Sequence, residues 1–294
     1  MLRYGVPYKG SKRAIAEWVV SQFPSKTHFY DLFAGGCAVT HAAMLTDKFT
    51  VFHANDITDS PKLFYESIHG RFHSECRWIS RSDFEQLKDS DTYVRLCWSF
   101  GNGGHNYLYG RDIEPLKKAV HYHIFFSDES LLLQFGILPP RNHGKTVKER
   151  YSVWKTYCRN ILRKRIDLQS LERLQSLESL TKMSYDEVKI FPDSVVYCDI
   201  PYQNTTGYGD SKNSFDYERF YSWCERQTEP CFVSEYAMPE DRFVAVAETK
   251  KRCNLSATKN GIQTLEKIFI PKTQIEMFVV LFDFYLPKRL SGVA

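Results

Sequence analysis

Apolar residues at Ile15, Trp18, Val19 and Phe23 recur at helical spacing and predict a helix over residues 12–23. A short apolar strand over 27–33 runs into Ala34-Gly35-Gly36, a second helix follows over 38–45, and a second strand over 49–54 ends in Asn55-Asp56. Residues 95–150 show no clear period and are aromatic and Gly-rich, as in Gly101-Asn102-Gly103-Gly104-His105-Asn106-Tyr107. A long helical stretch is expected over 151–180. Strand patterning resumes at 194–198, 231–234 and 266–270, and the apolar run 277–282 reads as a buried strand. Strands alternating with helices predict an α/β fold: a mostly parallel sheet with helices on both faces. The irregular, polar middle reads as an insertion into that one domain. No internal repeat or low-complexity tract is present.

Composition narrows the class. Of 294 residues, 43% are hydrophobic, enough for a full core. The net charge of +4 is too mild to argue for a nucleic-acid partner by itself. The eight cysteines form no C-x-x-C pair, so reduced, mostly buried thiols are expected rather than a zinc site. Residues 1–13 lack an apolar signal core, and the run 277–282 is too short to span a bilayer. The expectation is a cytoplasmic protein without a membrane partner, a monomer, with a dimer as the alternative.

Two places carry chemistry. The first is Asp31-Leu32-Phe33-Ala34-Gly35-Gly36, where a strand must turn sharply into a helix. Glycine permits positive φ and close approach of a ligand to the backbone. Ligands of open α/β sheets bind beyond the carboxyl ends of the strands, and an acid such as Asp56 at the second strand end can hold ribose hydroxyls. Two readings fit these residues alone: an ordinary turn with a capping acid, or a site for an adenosine-containing cofactor. The second place is Asp199-Ile200-Pro201-Tyr202, which follows the apolar strand Val195-Val196-Tyr197-Cys198. The amino nitrogen of adenine is a poor nucleophile because its lone pair is delocalised into the ring. Asp199 and the main-chain carbonyl of Ile200 can accept its two N–H bonds and favour a pyramidal nitrogen, and acceptors fixed in advance act strongly on developing charge. Tyr202 offers a face for a base swung out of the helix.

With these residues the chain resembles the Dam-type DNA adenine methyltransferases with α-order motifs. Pro7-Tyr8-Lys9-Gly10-Ser11-Lys12 is similar to their N-terminal cofactor motif and Asp31 to Gly36 to their Gly-rich motif. Asp56 stands at the ribose acid, Ser184-Tyr185-Asp186 at the segment that holds the cofactor's adenine, and Asp199-Ile200-Pro201-Tyr202 at the catalytic Asp-Pro-Pro-Tyr. Phe215-Asp216-Tyr217-Glu218-Arg219-Phe220-Tyr221 and Phe232-Val233-Ser234-Glu235-Tyr236 are also similar to bacterial and phage members. The resemblance covers nearly the whole chain.

It implies a Rossmann-like methyltransferase sheet from residues 1–60 and 181–294, with a target-recognition and DNA-binding insertion over 61–180. It implies transfer of a methyl group from S-adenosylmethionine to the N6 amino group of a flipped-out adenine in double-stranded DNA. S-adenosylhomocysteine is the product, and no metal is expected. Tyr8 and Lys12 would meet the cofactor's methionine end, and Asp31, Phe33, Ala34, Gly35, Gly36 and Asp199 would also contact the cofactor. Asp56 would hold the ribose, and Tyr185 or Asp186 the adenine. Asp199, Ile200, Pro201 and Tyr202 would hold the target base. The departure is Ile200 in place of the first Pro, which keeps the main-chain carbonyl, adds an N–H and loosens φ. A catalytically impaired relative that binds DNA or cofactor is one alternative; a methyltransferase of RNA or of cytosine amino groups is another.

Residues 141–165 carry nine Lys and Arg against the single acid Glu149. A charge run is usually a solvated face. Its place before a base-modifying motif favours DNA, with Lys9, Asn102, Arg141, Lys145, Lys148 and Arg150 as the contacts. A bacterial or phage-infected cell is the expected setting.

Overall fold

A computed structural model of the chain describes residues 4–139, 144–157, 177–202, 215–252 and 263–281. Its secondary structure follows the α/β order: α1 (Ala16–Ser21), β1 (His28–Asp31), α2 (Ala38–Met44), β2 (Val51–Asp56), α3 (Ser60–Ile68), α4 (Arg81–Leu87), α5 (Thr92–Cys97), α6 (Glu114–Phe126), α7 (Ser130–Gln134), α8 (Val147–Tyr157), β3 (Leu177–Lys182), β4 (Ser194–Cys198), α9 (Tyr217–Glu225), β5 (Cys231–Glu235), β6 (Phe243–Arg252), β7 (Gln263–Pro271) and α10 (Ile275–Leu281).

The strands form one seven-stranded sheet in the order β3-β2-β1-β4-β5-β7-β6. The first five are parallel, and β7 runs antiparallel to both β5 and β6. The central pair is β1 with β4, in the register His28↔Ser194 to Asp31↔Tyr197. Both are short, and the largely apolar β4 is buried at every position, as a parallel strand covered on both faces must be. This is a Rossmann-like α/β sheet.

Alternate residues of the central strands face opposite layers. On one face Tyr30, Val196 and Cys198 pack with Phe220, Tyr221, Trp223 and Cys224 of α9. On the other, Phe29, Tyr197 and Phe232 surround Phe23, with ring centroids 5.7, 5.5 and 4.7 Å away, and Phe278 of α10 meets Phe232 at 5.1 Å. Full burial of one such ring stabilises the fold by about 2–3 kcal/mol, so each layer rests on a few large side chains.

The chain separates into two compact units. The first comprises Met1–Val6, Gly10–His69 and Leu168–Ala294 and holds the sheet. The second comprises Pro7–Lys9 and Gly70–Asp167. Within it α4 starts on a capping box between Ser80 and Asp83, and α5 on Asp91, whose carboxylate accepts from Tyr93 and Val94 N–H. Ala119, Val120, Ile124, Leu132 and Trp154 form its core.

Several elements differ from the sequence-based expectation. Within the described residues, α3 and β3 lie in the unit that holds the sheet. Residues 177–180 are strand, not the end of a long helix, because pairing with β2 overrides a polar, helix-compatible sequence. The stretch 95–150 is not irregular throughout: it contains the 13-residue helix α6, whose Pro115 sits in the first turn where no N–H partner is lost. The run 277–282 does not form a strand; 277–281 belongs to α10. A short apolar run has no period that separates the two. The edge strand β6 went unread because its second half, Glu248 to Arg252, is charged. Among the described residues no helix is long and apolar enough to cross a membrane.

Candidate active site

The strands β1 and β4 end at the same edge of the sheet. Just beyond β1, Leu32 N–H donates to Tyr197 O at 3.0 Å and keeps the two exits side by side. From there the chain goes to β2 on one side and to β5 on the other. Such a switch point opens a crevice outside the carboxyl ends of the strands.

The Gly turn forms one wall. Gly35 takes φ 49° and Cys37, which starts α2, takes φ 55°. Asp56 Oδ2 accepts the Gly35 N–H at 2.9 Å, and its Oδ1 accepts the N–H and hydroxyl of Thr58 at 2.8 and 2.7 Å. Asn55 ties the same turn to the segment after β3, donating to Leu32 O and Met183 O at 3.1 Å each. The N-terminal segment lies flush on the turn: Val6 N–H donates to Gly36 O at 2.8 Å. A Cβ on Gly5 would fall 2.2 Å from that oxygen, and Gly5 also has φ +63°, so only glycine fits there.

Asp31 lies beneath this wall and is 2% exposed. Its Oδ2 accepts the Thr40 hydroxyl at 2.7 Å, while its Oδ1 has no hydrogen-bond partner among the described residues. Burial pushes this carboxyl up to about 7; the Thr40 bond opposes the shift and the nearby Asp199 charge adds to it. Burial likewise raises Asp56, against its three hydrogen bonds.

An aromatic group borders the crevice. Phe33 stacks on Tyr185 with centroids 5.5 Å apart, and Phe215 meets Phe33 edge-on at 5.9 Å. The buried Tyr185 hydroxyl has no hydrogen-bond partner among the described residues. Asp186 is engaged by the Ser184 hydroxyl and the Arg219 guanidinium.

The segment after β4 joins a cluster of charged and aromatic groups. Lys12 Nζ donates to Asp199 Oδ1 at 2.5 Å, lies 3.5 Å from Glu266 Oε1, and sits 4.5 Å from the centre of the Tyr202 ring. The Tyr202 hydroxyl donates to the same Glu266 oxygen. Tyr236 meets the Tyr202 ring edge-on at 4.7 Å. Burial, then the Asp199 and Glu266 charges, hold the Tyr202 phenol well above its ordinary range, so it stays a donor. The Ile200 side chain is 2% exposed and belongs to the core, so the residue that departs from Pro faces the packing below. The Pro201 carbonyl accepts the Tyr217 hydroxyl at 2.8 Å.

The structure thus brings Lys12, Asp31, Asp56 and Asp199 to Tyr202 together at one sheet edge, with Phe33 and Tyr185 beside them. Tyr8 and Lys9 fall in the second unit, where Lys9 runs past Gly103. The proposed DNA contacts divide. Lys145 and Lys148 are exposed. Arg150 is not a surface cation: it is 6% exposed, and its guanidinium donates to the Ile124 and Lys145 carbonyls at 2.7 Å each. The phase of α8 turns it inward, which a charge run does not reveal. Asn102 donates to Leu96 O at 2.7 Å and takes φ 57°, the position of a turn former. Arg141 lies outside the described residues.

Sequence reasoning passed over Glu266. It lies on β7 in the same alternation as Ile268 and Ile270, both buried, and that parity is the signal that finds it.

A carboxylate and an aromatic ring at the switch point of a parallel sheet, beside a Gly turn closed by a strand-end acid, define the Rossmann-like methyltransferase class. The profile of the D12 class N6 adenine-specific DNA methyltransferases matches residues 8–229, and the chain belongs to that enzyme family. A search of curated proteins finds no match to the chain.

Proposed function

We propose that the enzyme takes its methyl group from S-adenosylmethionine and places it on the N6 nitrogen of an adenine flipped out of duplex DNA. The observation that carries this reading is the corner formed by Asp199 and Tyr202, joined through Lys12 at the mouth of the crevice. The free Asp31 Oδ1, buried beside that corner, is the kind of acceptor an α-ammonium group needs. Asp56 and the Gly turn fit a ribose, and the face of Phe33 beside Tyr185 fits an adenine ring. When bound, the cofactor supplies a methyl group on a sulfonium, whose sulfur leaves as a neutral thioether.

The chain's own residues do the rest. Tyr202 stacks the target base and fixes its plane. Asp199 accepts one N–H of the amino group and the Ile200 carbonyl the other, which aims the nitrogen lone pair out of the ring plane. One N–C bond forms as one C–S bond breaks, and the nitrogen then releases one proton toward Asp199 or solvent. The second unit supplies phosphate contacts through Lys145 and Lys148. It also presents Phe100, 73% exposed on a turn where Gly101, Asn102 and Gly104 all take positive φ. An apolar ring held out on a rigid turn suits insertion between base steps.

The test is a single-turnover assay with labelled cofactor on duplex DNA of all sequence contexts, followed by mapping of the methylated base. Asp199→Ala should bind DNA and transfer no methyl group. Full activity in that variant overturns the mechanism. Methylation of RNA or of cytosine in place of adenine overturns the substrate.

A further inference from the structure

We infer that Glu266 is a positioning residue of the reaction: it fixes Tyr202 through its hydroxyl and shares the Lys12 ammonium with Asp199. The inference rests on the roles assigned above to Asp199 and Tyr202.

The topology places Glu266 where no motif would. The strands β1, β4 and β5 run parallel and end at the crevice, so residues near their C-terminal ends face it. β7 runs the other way, and its N-terminal half therefore lies along that same edge. Glu266 precedes Lys267, the residue paired with Glu235 at the end of β5, and is itself paired with Thr249 of β6. Its side chain is 0% exposed.

A carboxylate so completely buried is costly to keep unless charge and hydrogen bonds meet it. Two such contacts come from the corner formed by Lys12, Asp199 and Tyr202. The Tyr202 hydroxyl donates to Oε1, and Lys12 Nζ stands 3.5 Å from that oxygen. The ring that stacks a base is therefore held at its far end as well as at its edge, where Tyr236 packs. A phenyl ring without that anchor could swing about its Cα–Cβ bond.

The second consequence concerns charge. Asp199 can hold a substrate N–H well only if its Oδ1 is not claimed wholly by Lys12, which now lies 2.5 Å away. Glu266 offers the ammonium a second anion about one ångström farther off. A small movement of Nζ toward Glu266 frees Asp199 Oδ1 without stranding a buried cation. Removal of the Glu266 charge takes one anion away from Lys12 and tightens its pair with Asp199.

Glu266→Gln tests both roles, because an amide oxygen can still accept from Tyr202 while the charge is gone. Single-turnover methylation should slow by tenfold or more, with DNA and cofactor affinities within twofold of wild type. The acid limb of the rate profile should move to lower pH, since one negative charge is removed from beside the reacting groups. Tyr202→Phe should show the anchoring role separately: a slower rate with an acid limb that does not move. A Glu266→Gln rate and profile within twofold of wild type overturn the inference.

Failure of the functional reading is seen separately, as a wild-type enzyme that methylates no adenine. A urea-unfolding cycle on Lys12→Met, Glu266→Gln and the double variant tests Glu266 even then. The loss in midpoint for the double variant should be smaller than the two single losses added. Strict additivity overturns the pairing.

Discussion

Lys12, from the N-terminal segment, and Asp199, from the end of β4, meet at 2.5 Å although 187 residues of sequence separate them. The lysine side chain is 5% exposed, so the pair lies in a medium where a lone charge is expensive. Lys12→Met should therefore cost about 3 kcal/mol of stability, the scale for removing one partner of a buried pair. It takes the Lys12 ammonium away from both Asp199 and Glu266. Urea unfolding of the variant measures this, and a loss below about 1 kcal/mol, the range of an exposed ion pair, would contradict the geometry.

Asp56 has two roles that substitution can separate. Its carboxylate holds Gly35 and Thr58, and the ribose reading gives it a ligand as well. Asp56→Ala should weaken S-adenosylmethionine binding by about 1–3 kcal/mol and also lower the melting temperature. Asp56→Asn keeps one acceptor for Thr58 and should recover most of the melting temperature but not the affinity. Calorimetry on both variants checks this; equal affinities for Asp56→Ala and wild type remove the ribose role.

In the basic run, the lysines and the arginine should behave differently. Replacement of Lys145 and Lys148 by Ala should weaken DNA binding on all sequences. It should also lower the slope of log K against log salt by about 2, one counterion per lost phosphate contact. Arg150→Ala should instead unfold or loosen the second unit, since the Ile124 and Lys145 carbonyls lose their donor. Fluorescence titrations at several salt concentrations, with circular dichroism beside them, distinguish the two.

Much of the sheet was legible because apolar runs such as Ser194–Cys198 can be little else than buried strands. The two segments that meet at the sheet edge were legible too, as Asp31 to Gly36 and Asp199 to Tyr202 are local in sequence. What escaped depends on contacts between distant segments. β3 is a strand because β2 offers it an edge, not because Leu177 to Lys182 favours one. Arg150 and Lys148 look alike in a charge count, and only the rotation of α8 buries one and exposes the other. Glu266 contacts residues 64 and more positions away and belongs to no local pattern.

The pH dependence of stability should hide two opposing contributions. Asp31 titrates at about 7 in the fold against an ordinary 3.8. The folded state then binds the extra proton between these values, and stability falls as pH rises through them. Burial and the adjacent His28 lower His53 to about 4 from 6.5. Its unfolded state binds the extra proton, so stability rises with pH from 4 to 6.5. Because burial raises Asp56 as well, wild type should fall gently between pH 4 and 6.5, more gently than without His53. Asp31→Asn should leave a rising curve and His53→Gln a falling one. Urea midpoints across that range decide; parallel curves for the two variants would refute the assignment.

Ile200→Pro gives a test of what the second residue of the Asp199 to Tyr202 segment contributes to the proposed reaction. The main-chain carbonyl survives, so the single-turnover rate should be kept or raised. The buried Ile side chain is lost from the core, and the protein should be less stable by about 1 kcal/mol, on the scale of losing a methyl group or two from a packed interior. A large loss of rate at unchanged stability would assign the segment's N–H a role of its own.

The pairing of β1 with β4 also sets a timetable for biosynthesis. His28 and Ser194 are partners, yet 194 − 28 = 166 residues of chain must emerge from the ribosome between them. At about 5–20 residues per second that is roughly 8–33 seconds. Through that interval Phe29 and Tyr30 lack the neighbouring strand β4, and Tyr30 also lacks the helix α9 that covers it, while the core of the second unit, Ala119 to Trp154, is already complete in sequence. The nascent first unit is thus a client for chaperones that shield half-built sheets, and slow translation upstream of residue 194 would lengthen its exposure.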